Sequence, residues 1–544
     1  MNKNLLLNIN SYLLILLPAF LVTGPLLPEI VLLITFIIFL ILCYSEKEFK
    51  YFNNNFFKIF LLFYLIINLS TFLNFNLLSL KSSLFYFRFG FLSLVIWHCI
   101  DKNPKFIKYF FTSLIILLIA IFLDSLIQLI FKKNILSFPI SQTGRVSSFF
   151  GDELVLGSFL TRIFPLFVAL IFLLNISNKK YILPVVTILF LINIFITSSR
   201  TSLAMFIFFV ISFLIFLRNI RLFVIFSLIT LILVSLTYSF NKTGFNRLFV
   251  HTFNQFSENN TIQIHSFRHT LHYLTAWKIF KEKPLLGYGP KSFRLNCIKK
   301  QFVPNKYIQN NNTFFTNQTA ELNILIQGIN YDVNGKEIIR KFYNNEVLNF
   351  LPILNNIESQ KKVYDLTDNF LLFDIYKFNE INKLSSSVVT LYIKNLNSNE
   401  DKFIFKNKQN AKFYLNINAI STKENKILIQ KNTKYLVNYG EYFNGCNTHP
   451  HNFHLQVLSE TGLIGYFIIF SLFMYIVYAL LINLFKVNSK TLNLNNLSAP
   501  SIILLIGYMI ILFPLFPSGN FFNNWLSISI YLPSGFLLSE LYKK

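Results

Sequence analysis

Three of the chain's eight histidines, His449, His451 and His454, stand close together in "NTHPHNFHLQVLSETGLIG" (Asn447 to Gly465), just ahead of a long apolar run. Imidazole concentrated in this way suits two chemistries: metal ligation, or proton transfer near neutral pH. Zinc fits poorly, because the spacing is not a helical i, i+4 pair, Pro450 stiffens the segment, and no HExxH pattern exists; the nearby thiol is Cys446. A catalytic base among them and a wet loop are the other readings, and for His449 and His454 a helix-capping or substrate-lining place is expected. Pro450 and Asn452 mark the start of a short helix that ends at Thr461-Gly462. The dipole at such a helix start disfavours imidazolium and keeps a base neutral.

Charges that interrupt apolar stretches form the second set: Arg88 in "FYFRFGF", Asp124 in "IFLDSLIQ", Arg162 in "FLTRIF" and Arg200 in "ITSSRTS". A charge inside a membrane is costly and is normally directed at a cavity or a partner. Counted along their helices, all four belong to the outer half of the bilayer, which suggests an outward-opening, mainly positive cavity at the depth of a lipid diphosphate. The guanidinium fork suits that anion because it offers two hydrogen bonds at once. For Arg88 and Arg162, snorkelling or a structural pair with Asp124 is the open alternative. In "GRVSSFFGDELVLGS", Arg145, Asp152 and Glu153 either shape an acceptor groove or pair with one another. His265, His269 and His272 read as interfacial polar residues on a helix. "GYGP" (Gly287 to Pro290) reads as a turn rather than a phosphate loop, since no Lys-Ser/Thr pair follows.

Apolar helices must position these groups. Hydrophobic residues make up 54% of the chain and charged ones 13%, and long apolar runs recur, so the expected fold is a polytopic α-helical membrane protein. About twelve transmembrane helices are expected: nine within 1–240 (4–23, 25–43, 57–76, 82–100, 107–131, 154–175, 181–198, 201–217 and 221–240) and three within 462–544 (462–485, 499–517 and 522–540). The first is expected to be retained rather than cleaved, for it lacks a small-residue cleavage site. Lys and Arg crowd segments that fall on one side, such as Lys47, Lys50, Lys102, Lys179, Lys180, Arg218 and Lys486, and are sparse on the other. That bias places both termini in the cytoplasm. The net charge of +25 belongs to this bias and to the outer segment, and without a basic stripe interleaved with stacking aromatics no nucleic-acid partner is expected.

Residues 241–461 form a large outer segment. Within it, from about 300 to 440, stretches such as "AELNILIQ", "SVVTLYIK", "DKFIFK" and "AKFYLNINAI" alternate in polarity, the period of half-buried strands, so an inserted all-β domain is expected. Cys297 and Cys446 bracket it. An oxidising compartment would permit a disulfide between them, and two unpaired thiols are the alternative.

His451, Asn452, then Gly462 and Gly465 fit the pattern H-[N/S/Q]-x9-G-x-x-G, which resembles the O-antigen ligase and polymerase superfamily of bacterial membrane glycan enzymes. "GRVSSFFGDELVLGSFL", "TSSRTS" and "FRHTLHYLTAWKIFKEKPLLGYGP" are similar to further pieces of that family, in the same order, and only the β insert departs from it. The resemblance implies a metal-independent, cofactor-free, lipid-linked glycosyltransferase of the GT-C type in the bacterial inner membrane, its active site and β insert facing the periplasm. Such an enzyme moves a glycan from undecaprenyl diphosphate to an acceptor hydroxyl with inversion at the sugar carbon. It also implies that His451 is the base, that Arg200 and Arg268 stabilise the diphosphate, and that Arg88, Arg145, Arg162, Asn452 and His454 line the substrates. The clean His-Asn-x9-Gly-x-x-Gly pattern favours a ligase whose acceptor is a lipid A-core sugar. A polysaccharide polymerase or a protein glycan transferase of the same superfamily is the alternative. A lipid-linked glycan transporter is the reading from another class; it needs no histidine base, and no inverted repeat is evident.

Overall fold

The computed structural model describes residues 2–141, 143–217, 241–253, 267–297, 299–302, 447–485 and 497–543, together with strand backbone between 312 and 431. The helices are α1 (Lys3–Thr23), α2 (Leu26–Glu46), α3 (Asn55–Leu73), α4 (Leu77–Leu84), α5 (Phe87–Lys102), α6 (Phe106–Phe131), α7 (Leu156–Leu173), α8 (Lys179–Ile196), α9 (Arg200–Leu217), α10 (Phe267–Glu282), α11 (Phe453–Phe485), α12 (Ala499–Ile511) and α13 (Asn524–Leu541), with shorter turns between them. Among the described residues, eight helices are long and apolar enough to cross a membrane, α4 and α5 counting together as one, and two shorter apolar ones, α9 and α12, accompany them. Helices overlie each expected span except 221–240, which lies outside the described residues, but α13, over the expected 522–540, is not among those long and apolar enough to cross. The protein is a multi-pass α-helical membrane protein.

Local chemistry sets the helix starts. Asn2, Asn54, Asn76, Ser498 and Asn523 each turn a side-chain oxygen onto an otherwise orphaned amide of the first turn. Gly24, at φ +127°, reverses the chain between α1 and α2.

The chain divides into two units: residues 1–269, 276–293 and 448–544, and residues 270–275 and 294–447. In the first unit α7 is the central helix, buried along almost its whole length. Phe164 on it meets the rings of Phe190, Phe206 and Phe209 with centroids 4.7–5.3 Å apart, an aromatic cluster of tilted and edge-on rings that joins α7 to α8 and α9. Glycines allow the tightest approaches: a Cβ on Gly90 would strike the ring of Phe60, and one on Gly535 the side chain of Ile96.

Among the described residues the second unit holds β1 (Asn312–Asn317), β2 (Ala320–Tyr331), β3 (Glu337–Asn344), β4 (Leu371–Asp374), β5 (Ser386–Asn395), β6 (Glu400–Lys408), β7 (Tyr414–Ile420) and β8 (Lys426–Lys431), paired antiparallel in two four-stranded sheets ordered β1-β8-β7-β4 and β3-β2-β5-β6. Strand β2 (Ala320–Tyr331) pairs with β5 (Ser386–Asn395) from Ala320 opposite Asn395 to Ile329 opposite Ser386. These two strands contain the alternating stretches "AELNILIQ" and "SVVTLYIK". Cys297 is disulfide-bonded, and its expected partner, Cys446, lies outside the described residues. Cys43 and Cys99 are buried free thiols.

Candidate active site

Asn452 begins α11. Its Oδ1 accepts the amide of Leu455 at 3.0 Å while its Nδ2 donates to the Pro514 carbonyl at 2.7 Å. One residue earlier, His451 adopts φ +56°, and its carbonyl accepts the amide of Ser518 at 2.8 Å. Consecutive residues are thus pinned to the loop between α12 and α13, and the left-handed turn fixes where the imidazole departs from the chain. The His451 ring lies 4.1 Å from that of His449 and 5.3 Å from that of His269. Burial pushes its pKa down from 6.5 to about 4, so the ring is neutral at pH 7. His269, expected to be an interfacial polar residue, instead packs against the proposed base. His454 is buried and donates from Nε2 to the Leu512 carbonyl at 2.6 Å, and His449 Nδ1 bonds the Thr448 hydroxyl at 2.9 Å. Among the described residues, no group of three or more His, Cys, Asp or Glu is arranged to hold a metal ion.

"GYGP" is a docking turn. Gly462 interrupts α11 at φ +65°, which frees the amides of Leu463 and Ile464 to bond the carbonyls of Pro284 at 2.7 Å and Leu285 at 3.3 Å. The Gly289 amide answers by donating to the Glu460 carbonyl at 2.7 Å. A Cβ on Gly462 would strike the Leu285 backbone, and one on Gly287 would meet that of Glu460 at 2.5 Å. The carboxylate of Glu460, fully buried, accepts the amides of Lys291 at 2.8 Å and Phe293 at 3.0 Å and the side-chain amide of Gln456 at 3.1 Å. Gln456 in turn donates to Asn520 at 2.7 Å and accepts the amide of Phe521 at 2.8 Å. From α3, Ser70 donates to the carbonyls of Glu460 and Leu286. The segment after α10 and the segment after His451 therefore share one buried hydrogen-bond network, and such networks fix relative position when every member is satisfied.

The arginines divide. Arg88 pairs with Glu29, Nε to Oε2 2.8 Å, and Arg162 is buried and donates to the Ser158 carbonyl at 3.1 Å and to its hydroxyl. Asp124 pairs with neither. It accepts from the Ser148 hydroxyl at 2.6 Å, the Ile135 amide at 2.9 Å and Asn134 Nδ2 at 3.3 Å, and so ties down the loop that carries Arg145. Arg145 donates to the Leu154 carbonyl at 2.6 Å rather than pairing with Asp152 or Glu153.

Near Arg145 three segments meet at one atom. The Gly144 carbonyl accepts the Ser198 hydroxyl at 3.3 Å and Asn241 Nδ2 at 2.9 Å, which brings the neighbourhoods of Arg145, Arg200 and Arg247 together. Arg247 had no motif to mark it; the nearest signal is the "NKTG" turn that precedes it, capped by Asn241. Arg268 lies on α10, and its side chain is outside the described residues.

Residues 185–323 match the family model described as O-antigen ligase. The match supports the O-antigen ligase superfamily. The matched segment takes in Arg200, Arg247, Arg268 and the docking turn, and it ends before His451. No curated protein and no solved structure matches the chain. The family match and the multi-pass helical fold together support a membrane enzyme of ligase or polymerase type that acts on lipid-linked glycan.

Proposed function

We propose that the protein is an O-antigen ligase of the bacterial inner membrane. It transfers a glycan from undecaprenyl diphosphate to a sugar hydroxyl of the lipid A core on the periplasmic face, with inversion and without a metal. The observation that carries this reading is the neutral, ring-flanked imidazole of His451, bonded through its main chain into the loop before α13 and adjoining the helix that bears Arg268.

Neutral imidazole takes the proton of the acceptor hydroxyl as its oxygen bonds the anomeric carbon. Arg200 and Arg268 stabilise the diphosphate as the old glycosidic bond breaks. Arg145 and Asn452 complete the substrate-facing set: the first by charge, the second by fixing His451. The separate β-sheet unit is read as an inserted domain whose stem is closed by a Cys297–Cys446 disulfide.

The test is a lipopolysaccharide gel from a deletion strain, run beside an extract of its undecaprenyl-linked glycans. Bare core-lipid A with long polymer accumulating on the carrier is the expected result. Core-lipid A bearing single repeat units would instead make the protein a polymerase. Bare core-lipid A with the glycan retained on the cytoplasmic face would make it a transporter.

A further inference from the structure

Arg247 is a cation to which the proposed chemistry assigns no task. It sits on one π-helical turn, Asn246–Val250, immediately after the Asn241-capped turn Lys242–Phe245. That cap is the residue whose Nδ2 reaches the Gly144 carbonyl. Gly144 stands at φ +70°, and a Cβ there would strike Thr243 and Asn241, so the contact is as close as a backbone permits. From this crossing the chain reaches Arg145 one residue on, Arg200 two residues beyond Ser198, and Arg247 three residues beyond Gly244.

Arg247 stands between the other two and feels or exerts charge on each. Burial, then the charge of Arg200, lowers the pKa of Arg247; burial, then the charge of Arg247, pushes Arg145 down to about 10. The Nε atoms of both Arg145 and Arg247 are buried without a hydrogen-bond partner among the described residues. Like charges brought together with orphaned donors are costly unless an anion completes them.

Transfer creates such an anion. The acceptor oxygen forms its bond to the anomeric carbon, and its proton passes to His451. The bond from that carbon to the phosphate oxygen breaks with its electron pair on the phosphate. The diphosphate, a diester in the donor, leaves with a free terminal phosphate and roughly one further negative charge near neutral pH. We infer that Arg247, together with Arg145 and Arg200, grips the lipid diphosphate as it leaves, so that its cation matches the charge that develops in the reaction. This inference rests on the proposed ligase chemistry.

The experiment uses the full chain in detergent with synthetic undecaprenyl-diphosphate-linked glycan as donor, comparing wild type, Arg247→Gln and Arg247→Lys. For Arg247→Gln the expected result is a kcat about a hundredfold lower with little change in donor KM. Inhibition by free undecaprenyl diphosphate weakens in parallel, inhibition by undecaprenyl monophosphate is unaltered, and Arg247→Lys recovers part of both losses. A normal kcat, or a raised KM at normal kcat, overturns the inference. If Arg247→Gln melts at a lower temperature, the well-folded Lys variant decides through the same split between kcat and KM. Failure of wild type to bind undecaprenyl diphosphate at all would instead overturn the ligase reading itself.

Discussion

The Glu460 carbonyl accepts the amide of Gly289 at 2.7 Å, which joins the strand of chain following α10 to the helix that begins beside His451. The two candidate catalytic segments, far apart in sequence, are held in register by backbone bonds rather than by side-chain packing alone. Backbone geometry is stiffer than side-chain contact, and a proton-transferring group must be held to fractions of an ångström.

His451→Ala is expected to lower transfer by about a hundredfold or more while leaving folding and undecaprenyl diphosphate binding intact. Steady-state transfer and a lipid-binding assay on the same preparation check this. A variant that transfers normally would remove His451 from the chemistry.

Burial holds the His451 pKa at about 4 against an ordinary 6.5. A base works only when unprotonated, so kcat/KM is expected to stay flat from about pH 8 to about pH 5 and to fall on approach to pH 4. The stability sign is the same: the unfolded chain binds this proton first, so the contribution is complete above 6.5 and is lost as pH falls toward 4. A pH–rate profile with its acid limb near 6.5 would contradict this.

Gly462→Ala forces a side chain onto φ +65° and against the Leu285 backbone. The expected cost is about 1–3 kcal/mol, read as a lower melting temperature in detergent together with lost transfer.

Glu460→Gln replaces one carboxylate oxygen by an NH2 that faces the donors of Lys291, Phe293 or Gln456. Two donors cannot satisfy each other in a buried site, and a loss of about 1–3 kcal/mol is expected. If the variant melts like wild type, the network contributes nothing to holding the turn.

Much of this arrangement was legible in the sequence where one residue type carries the signal. The helical spans follow from unbroken apolar runs, the start of α11 from Asn452, and its interruption from Gly462. Arg88 and Arg162 were legible as charges but not in their partners, because Glu29 and Ser158 are known only once helices pack. His269 and Arg247 gave no local sign. Their neighbours, His451 and the Gly144 carbonyl, arrive through tertiary contacts that no spacing records.

The β-sheet unit has a narrow stem, for Cys297 Sγ lies 4.0 Å from the Asn447 carbonyl, where the chain returns from its long excursion. When departure and return share one doorway, closing the loop costs almost the same whatever its length, since that entropy grows only with the logarithm of residue number. A segment that leaves and returns at one point can therefore change in length at little entropic cost to the helices before and after it.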